Sequence, residues 1–158
     1  MLAEKIERIE DLAVYQTFRK LADEVEKVSR EYGLSYRWLR NQTLQASESA
    51  CAHLTDSAYV EFTSGFLKAL YRSRSEARGT MTHLASARDA DLLKGGDSLI
   101  GRYENAVAEL GRLIRHVEEA IELRSMSTRS LHLKKDEKHG ATTAAVHHGQ
   151  AWALPVQA

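Results

Sequence analysis

A seam of large apolar residues at Val14, Phe18, Leu21, Val25, Val28 and Tyr32 constrains this chain more than any other feature. Its steps of four, three, four, three and four put every member on one face of an α-helix, while Arg19, Lys20, Asp23, Glu24, Glu26 and Lys27 fill the rest. Such a helix is stable only against partners that cover its stripe. The single proline, Pro155, leaves all earlier positions free of the residue that costs about 3 kcal/mol inside a helix, which favours long helices.

Three further stretches repeat the pattern. The first helix is predicted over about 6–32, with Ile6 and Ile9 extending its face backwards. Gly33 suits a left-handed C-cap, and Ser35 is a candidate N-cap for the next helix. The second, over about 36–54, sets Tyr36, Leu39, Thr43, Ala46, Ala50 and His53 on one face. Most of these are small, which lets neighbouring backbones approach closely. Thr55-Asp56-Ser57 reads as a turn, with Asp56 or Ser57 capping a third helix over about 58–88. That helix carries Tyr59, Phe62, Phe66, Ala69, Leu70, Ser73, Ala77, Met81, Leu84 and Ala87 inwards, and its glycines Gly65 and Gly79 point to close helix contacts or a local bend. Lys94-Gly95-Gly96 breaks the chain, and Asp97 or Ser98 can cap a fourth helix over about 98–124, with Leu99, Tyr103, Val107, Leu110, Ile114, Val117 and Ile121 on one side.

From Ser125 to Ala158 the chain is rich in Ser, Thr, His, Lys, Gly and Ala without a sustained apolar face, and is expected to be a disordered tail. The reading is therefore all-α: an antiparallel up-and-down four-helix bundle over 1–124 followed by a flexible C-terminal tail over 125–158. No fixed-length repeat argues for a helical solenoid.

Composition bounds the function. At 158 residues one core suffices, and the 22 Lys and Arg balance the 22 Asp and Glu, so any attraction to nucleic acid or anionic lipid must be local. Cys51 is the only cysteine, which excludes an internal disulfide and fits a reducing compartment. MLAEKIERIE mixes charge into every turn, unlike a signal peptide, and no apolar run approaches the roughly 20 residues of a membrane span. A soluble cytoplasmic protein with no membrane partner is expected.

No glycine-rich phosphate loop, serine elbow or paired-carboxylate motif is present, so no catalytic residue and no cofactor is assigned. His53, His83 and His116 fall on three different predicted helices, and Glu-x-x-His, the usual bundle ligand pair, does not occur. No metal ligands are assigned there, and His147-His148 reads as part of a solvated tail. Cys51, without a basic neighbour in sequence, reads as a buried inert thiol.

The best candidate for a contact surface is cationic: Lys68, Arg72, Arg74 and Arg78 on the third helix with Arg37 and Arg40 on the second. Lys68 and Arg72 are four apart, as are Arg74 and Arg78, giving two adjacent short rows. The competing reading is an ordinary charged face, balanced by Glu48, Asp56, Glu61 and Glu76. Trp38 is a candidate interface residue, because it lies about 200° around a helix from Tyr36 and the two cannot both face the core; the competing reading is a tryptophan that covers the loop at Gly33.

Ile9-Glu10-Asp11-Leu12-Ala13-Val14-Tyr15-Gln16 resembles the E-D-L-x-V-W/Y-Q opening of the 23S rRNA intervening-sequence family of small bacterial four-helix-bundle proteins. Glu61-Phe62, Phe66-Leu67 and the run Arg72-Ser73-Arg74-Ser75-Glu76 are similar to that family's third-helix stretch, with serine where glycine is usual. The likeness covers about Ile9 to Ile121. It departs at Ser47 to Ser57, which reads SESACAHLTDS where most members carry S-I-P-S-N-I-A-E-G. The resemblance implies a bundle that assembles as a ring, often a pentamer, without known catalytic activity. A relative of the family, the accessory protein of diversity-generating retroelements, is a basic pentamer that binds a reverse transcriptase and nucleic acid. The expected function is a non-enzymatic, self-assembling binding or scaffolding bundle that contacts RNA, DNA or a nucleoprotein. The alternatives are an accessory subunit of a reverse transcriptase and a metal-binding bundle.

Overall fold

The computed structural model of the chain describes residues 12–55 and 62–144. Four α-helices follow one another: α1 Ala13–Ser29, α2 Arg37–Thr55, α3 Ser64–Asp89 and α4 Gly96–Ala144, with 3-10 turns at Arg30–Tyr32 and Leu34–Tyr36 between the first two. There is no strand among the described residues. The chain divides into two compact units, 1–121 and 122–158. The first is an all-α up-and-down bundle with antiparallel neighbours, as its short connections require. Arg19 on α1 pairs with Glu48 on α2, Ser73 on α3 bonds to Ala50 on α2, and Tyr71 on α3 meets Glu118 on α4. Arg102 on α4 pairs with Glu24 on α1 and closes the ring of helices.

The seam that opens the chain is buried as its spacing demands: Val14, Phe18, Leu21, Val25 and Tyr32 lie in the core, joined by Ala22 and Ser29, and Val28 is half-buried. The predicted start of this helix near residue 6 lies outside the described residues. Its end differs from expectation. The α-helix stops at Ser29 and tightens into a 3-10 turn, and Gly33 adopts φ 74° and ψ 172°, a conformation open essentially to glycine alone but not the left-handed helical cap. Ser35 sits inside the second 3-10 turn, where the Tyr36 N–H donates to the Gly33 carbonyl, so it is not an N-cap.

α2 and α3 meet across small side chains. Thr43, Ala46, Ser47, Ala50 and Cys51 on α2 and Ala69, Ser73, Ala77, Thr80 and Ala87 on α3 are all buried. Close approach makes one bond possible: the Ser73 hydroxyl donates to the Ala50 carbonyl across the interface at 2.7 Å. The other buried serine and threonine hydroxyls donate within their own helices, Ser29 to Glu26, Thr43 to Leu39, Ser47 to Leu44 and Thr80 to Glu76. Each polar group in this seam is therefore satisfied, which removes the penalty that burying a hydroxyl would otherwise carry. Larger side chains fill the layers around it: Leu39, Leu54, Phe66, Leu70 and Leu84.

Several boundaries shift from the sequence reading. Residues 56–61, with the expected caps Asp56 and Ser57 and the inward Tyr59, lie outside the described residues. The cap the structure shows is Thr63, extended at φ −105° and ψ 164°, whose side chain accepts from the Phe66 N–H at 3.1 Å. An extended Thr63 cannot lie inside a helix running from 58, so that expectation is corrected. Gly79 has open space where a Cβ would stand, which removes the close-contact explanation for it.

α3 ends in a Schellman motif: the Leu92 N–H donates to the Ala87 carbonyl and the Asp91 N–H to Arg88, with Asp91 at φ 57°. Asp97 and Ser98 stand inside the first turn of α4, not before it, and Asp97 pairs with Arg88 instead. Along α4 the core takes Leu99, Tyr103, Ala106, Leu110, Ile114 and Val117, with Ala106 in place of the expected Val107.

The fourth helix also outruns its predicted end at 124 and continues to Ala144. No proline interrupts it, and extending an existing helix adds one hydrogen bond per residue without a new nucleus. What the sequence does convey about this stretch is the lack of a buried face, since every residue from Glu122 to Lys134 is exposed. The remainder of the predicted tail, 145–158, lies outside the described residues.

Candidate functional site

The six cations singled out by sequence do not form one patch. The Ser73–Ala50 bond fixes the antiparallel register of α2 and α3, so Arg40, ten residues before Ala50, lies about level with His83. At 1.5 Å per residue Arg78 is then about 8 Å and Arg72 about 16 Å farther along the axis, with Lys68 beyond them. Arg37 and Arg40 therefore belong to the end of the bundle where α1 passes into α2, and Lys68 and Arg72 to the other half. The α3 cations also diverge around the helix. Arg72 and Arg74 are two residues apart, about 200° around the axis, so the rows Lys68–Arg72 and Arg74–Arg78 face different directions.

Local partners differ as well. The Arg74 guanidinium lies 4.8 Å from the centre of the Tyr71 ring, and the Tyr71 hydroxyl donates to the Glu118 carboxylate. That hydrogen bond raises the phenol above its ordinary range. Arg40 is half-buried, its Nε without a hydrogen-bond partner among the described residues. Its charge helps to lower the carboxyl of Glu26, an effect due first to the hydrogen bond from Arg30. Lys68, Arg72 and Arg78 are exposed. Glu48, expected to offset the cations between α2 and α3, pairs instead with Arg19 on α1 at 3.0 Å.

Trp38 is 61% exposed at the start of α2. Within five residues of chain it is accompanied by Leu34, 83% exposed, and by Tyr36, which sequence reasoning had placed inside and which is 36% exposed. His53, also assigned inwards, is half-buried. The reason for the misplaced Tyr36 is local: the chain reaches it through 3-10 turns, in which the 3.6-residue period does not apply. A second set of exposed large apolar residues, Leu123, Met126, Leu131 and Leu133, lies on the helical part of the second unit and was not singled out from the sequence. Its signal was present in the spacing of Leu123, Met126 and Leu133 by three and seven.

The core holds reactive groups in inert settings. Burial pushes the Cys51 thiol up to about 11, opposite to what a nucleophile needs. Tyr103 and Tyr32 are buried with hydroxyls that have no partner among the described residues, and burial raises both phenols. Among the described residues no group of three or more His, Cys, Asp or Glu is placed to hold a metal ion, and no helix is long and apolar enough to cross a membrane. No family model, curated protein or solved structure matches the chain.

Proposed function

We propose that the protein is a non-enzymatic helical bundle that assembles with copies of itself and serves as a binding or scaffolding module for a nucleic acid or nucleoprotein partner. The observation that carries this reading is the exposure of Leu34, Tyr36 and Trp38 at one end of the bundle. Trp38 and Leu34 would each gain about 2 kcal/mol from burial, and tryptophan concentrates where subunits meet. A ring is the assembly expected from the family resemblance, with five as its subunit number. The exposed cations Lys68, Arg72 and Arg78 support the nucleic-acid half, because a ring repeats each modest patch and phosphate binding strengthens with every cation engaged.

The test is light scattering of the purified chain at tens of micromolar, beside the double variant Leu34→Ser, Trp38→Ser. The wild type should run as an oligomer and the variant as a folded monomer by circular dichroism. A monomeric wild type overturns self-assembly. An oligomeric variant overturns this interface.

A further inference from the structure

Arginines from two helices converge on the outer side of α3 and α4. Tyr71, Arg74 and Arg78 share one face of α3, being spaced by three and four, and Tyr71 reaches Glu118, so that face is the one beside α4. On α4, Gly111, Arg115 and Glu118 are spaced by four and three and share the strip that looks back at α3. Long side chains lean towards the N-terminus of their own helix, which brings the heads of Arg74 and Arg78 alongside the stretch 111–115 of the antiparallel α4. Arg112 stands on the outward crest of α4, one turn before Arg115.

These cations lack the partners that hold others in the bundle. Arg19, Arg30, Arg88 and Arg102 are each paired with carboxylates, whereas Arg78, Arg112 and Arg115 are exposed and form no ion pair among the described residues. The nearby acids look elsewhere. Glu76 is two residues from Arg74 and so about 200° around α3 from it. Glu109, seven residues after Arg102, shares the face of α4 that meets Glu24 on α1, and Glu118 accepts the Tyr71 hydroxyl. Glu119 is exposed one turn after Arg115 and bounds the patch at that end. The middle of the group is hollow. Gly111 has open space where a Cβ would stand, which lets a ligand come down to the backbone among the arginines.

We propose that this face binds single-stranded nucleic acid, with Arg78, Arg112 and Arg115 on the phosphates and a base laid against the stacked pair of Arg74 and Tyr71. Arginine meets phosphate through a planar fork of donors, and the same plane stacks on rings. The Arg74 guanidinium lies 4.8 Å from the centre of the Tyr71 ring, which is 38% exposed and tethered by its hydroxyl to Glu118, so the platform exists before a ligand arrives. Unstacked bases use such a platform. A duplex keeps its bases stacked on one another and would engage the cations alone, as would an acidic protein segment. The inference rests on the nucleic-acid half of the proposed function and narrows its site to the α4 side of α3, adding Arg112 and Arg115 and leaving out Lys68 and Arg72.

The experiment is fluorescence anisotropy of the full chain with labelled oligouridine, oligothymidine, a random-sequence DNA duplex of equal length and polyglutamate, between 50 and 200 mM KCl. Three engaged cations predict single-strand binding that weakens about 20-fold over that range. Arg112→Gln, Arg115→Gln should cut that dependence to about threefold. Gly111→Glu, which sets a carboxylate in open space among the cations, should abolish binding while the circular dichroism stays unchanged. Tyr71→Ala should weaken binding more than about fivefold at either salt concentration, the loss of one stacked base. Lys68→Gln, Arg72→Gln should bind as wild type. Single-strand binding with this pattern of losses supports the inference, and the ratio between oligouridine and oligothymidine shows whether ribose is read. Loss in the Lys68, Arg72 variant with Gly111→Glu unaffected overturns this face and leaves the nucleic-acid reading standing. Preference for the duplex or for polyglutamate overturns single-strand recognition, the latter in favour of an acidic protein partner. No binding of any nucleic acid by the wild type at 50 mM overturns both readings.

Discussion

Tyr103→Phe should stabilise the protein, although it deletes a polar atom from the centre of the bundle. Tyr103 is fully buried, with its ring 6.2 Å from that of Phe18, and its hydroxyl has no hydrogen-bond partner among the described residues. A buried hydroxyl left unpaired costs about 1–3 kcal/mol, and phenylalanine keeps the ring and its contacts. The expected gain at pH 7 is therefore about 1–2 kcal/mol, or about 2–7 °C in Tm for a chain of this size. The same group makes a second, independent forecast. Its folded-state pKa is raised above the ordinary 10.0, first by burial, so above pH 10 the unfolded chain loses the phenol proton while the folded chain keeps it. A raised folded pKa gives stability that is complete below pH 10 and drains away as pH climbs above it, at up to about 1.4 kcal/mol per pH unit. Cys51, raised from 9.0 to about 11, begins the same decline one unit lower, and Tyr32 adds to it above pH 10. Urea denaturation followed by circular dichroism at pH 7, 9, 10 and 10.5 separates these contributions. Tyr103→Phe should match the wild-type decline between pH 9 and 10 and fall less steeply beyond it. A variant less stable than wild type at pH 7, with an unchanged alkaline slope, would show that the hydroxyl is paired and refute the reasoning.

Gly79→Ala in α3 and Gly111→Ala in α4 place a methyl in open space, and each should add about 0.5–1 kcal/mol in urea denaturation; a loss at either position would mean that its face is covered. Asp91→Gly relieves a left-handed residue at the C-terminal end of α3 and should add about 0.5–1 kcal/mol by the same measurement, whereas Asp91→Val should cost more than that.

The parts of the fold that were legible in the sequence are those where large apolar residues repeat at the helical period. Val14 to Val25 and Leu99 to Val117 could be assigned inwards because only one helix face makes those residues neighbours. Periodicity fails where the backbone leaves the α-helix. Tyr36 continues the α2 spacing on paper but lies in a 3-10 turn, whereas Phe62 packs against the core as its spacing predicts although the extended Thr63 separates it from the helix. The stretch after Ile121 failed for another reason. The sign sought there was a buried stripe, and a helix exposed throughout carries none, although it is helical to Ala144.

The candidate site was less legible because two geometric facts are missing from a linear sequence. Spacing by four identifies rows on one helix, but the angle between the row of Arg72 and the row of Arg74 sets them on different sides of α3. The register between α2 and α3 is decided by a pair as small as Ser73 and Ala50, and nothing in the residue types of Arg37, Arg40 and Arg72 reveals it. Nor does spacing join cations that stand on two helices: Arg74 and Arg78 come beside Arg115 only through the pair of Tyr71 and Glu118. A count of charges along the chain misleads as well, because Glu76 separates Arg74 from Arg78 in sequence and yet lies about 200° around α3 from Arg74.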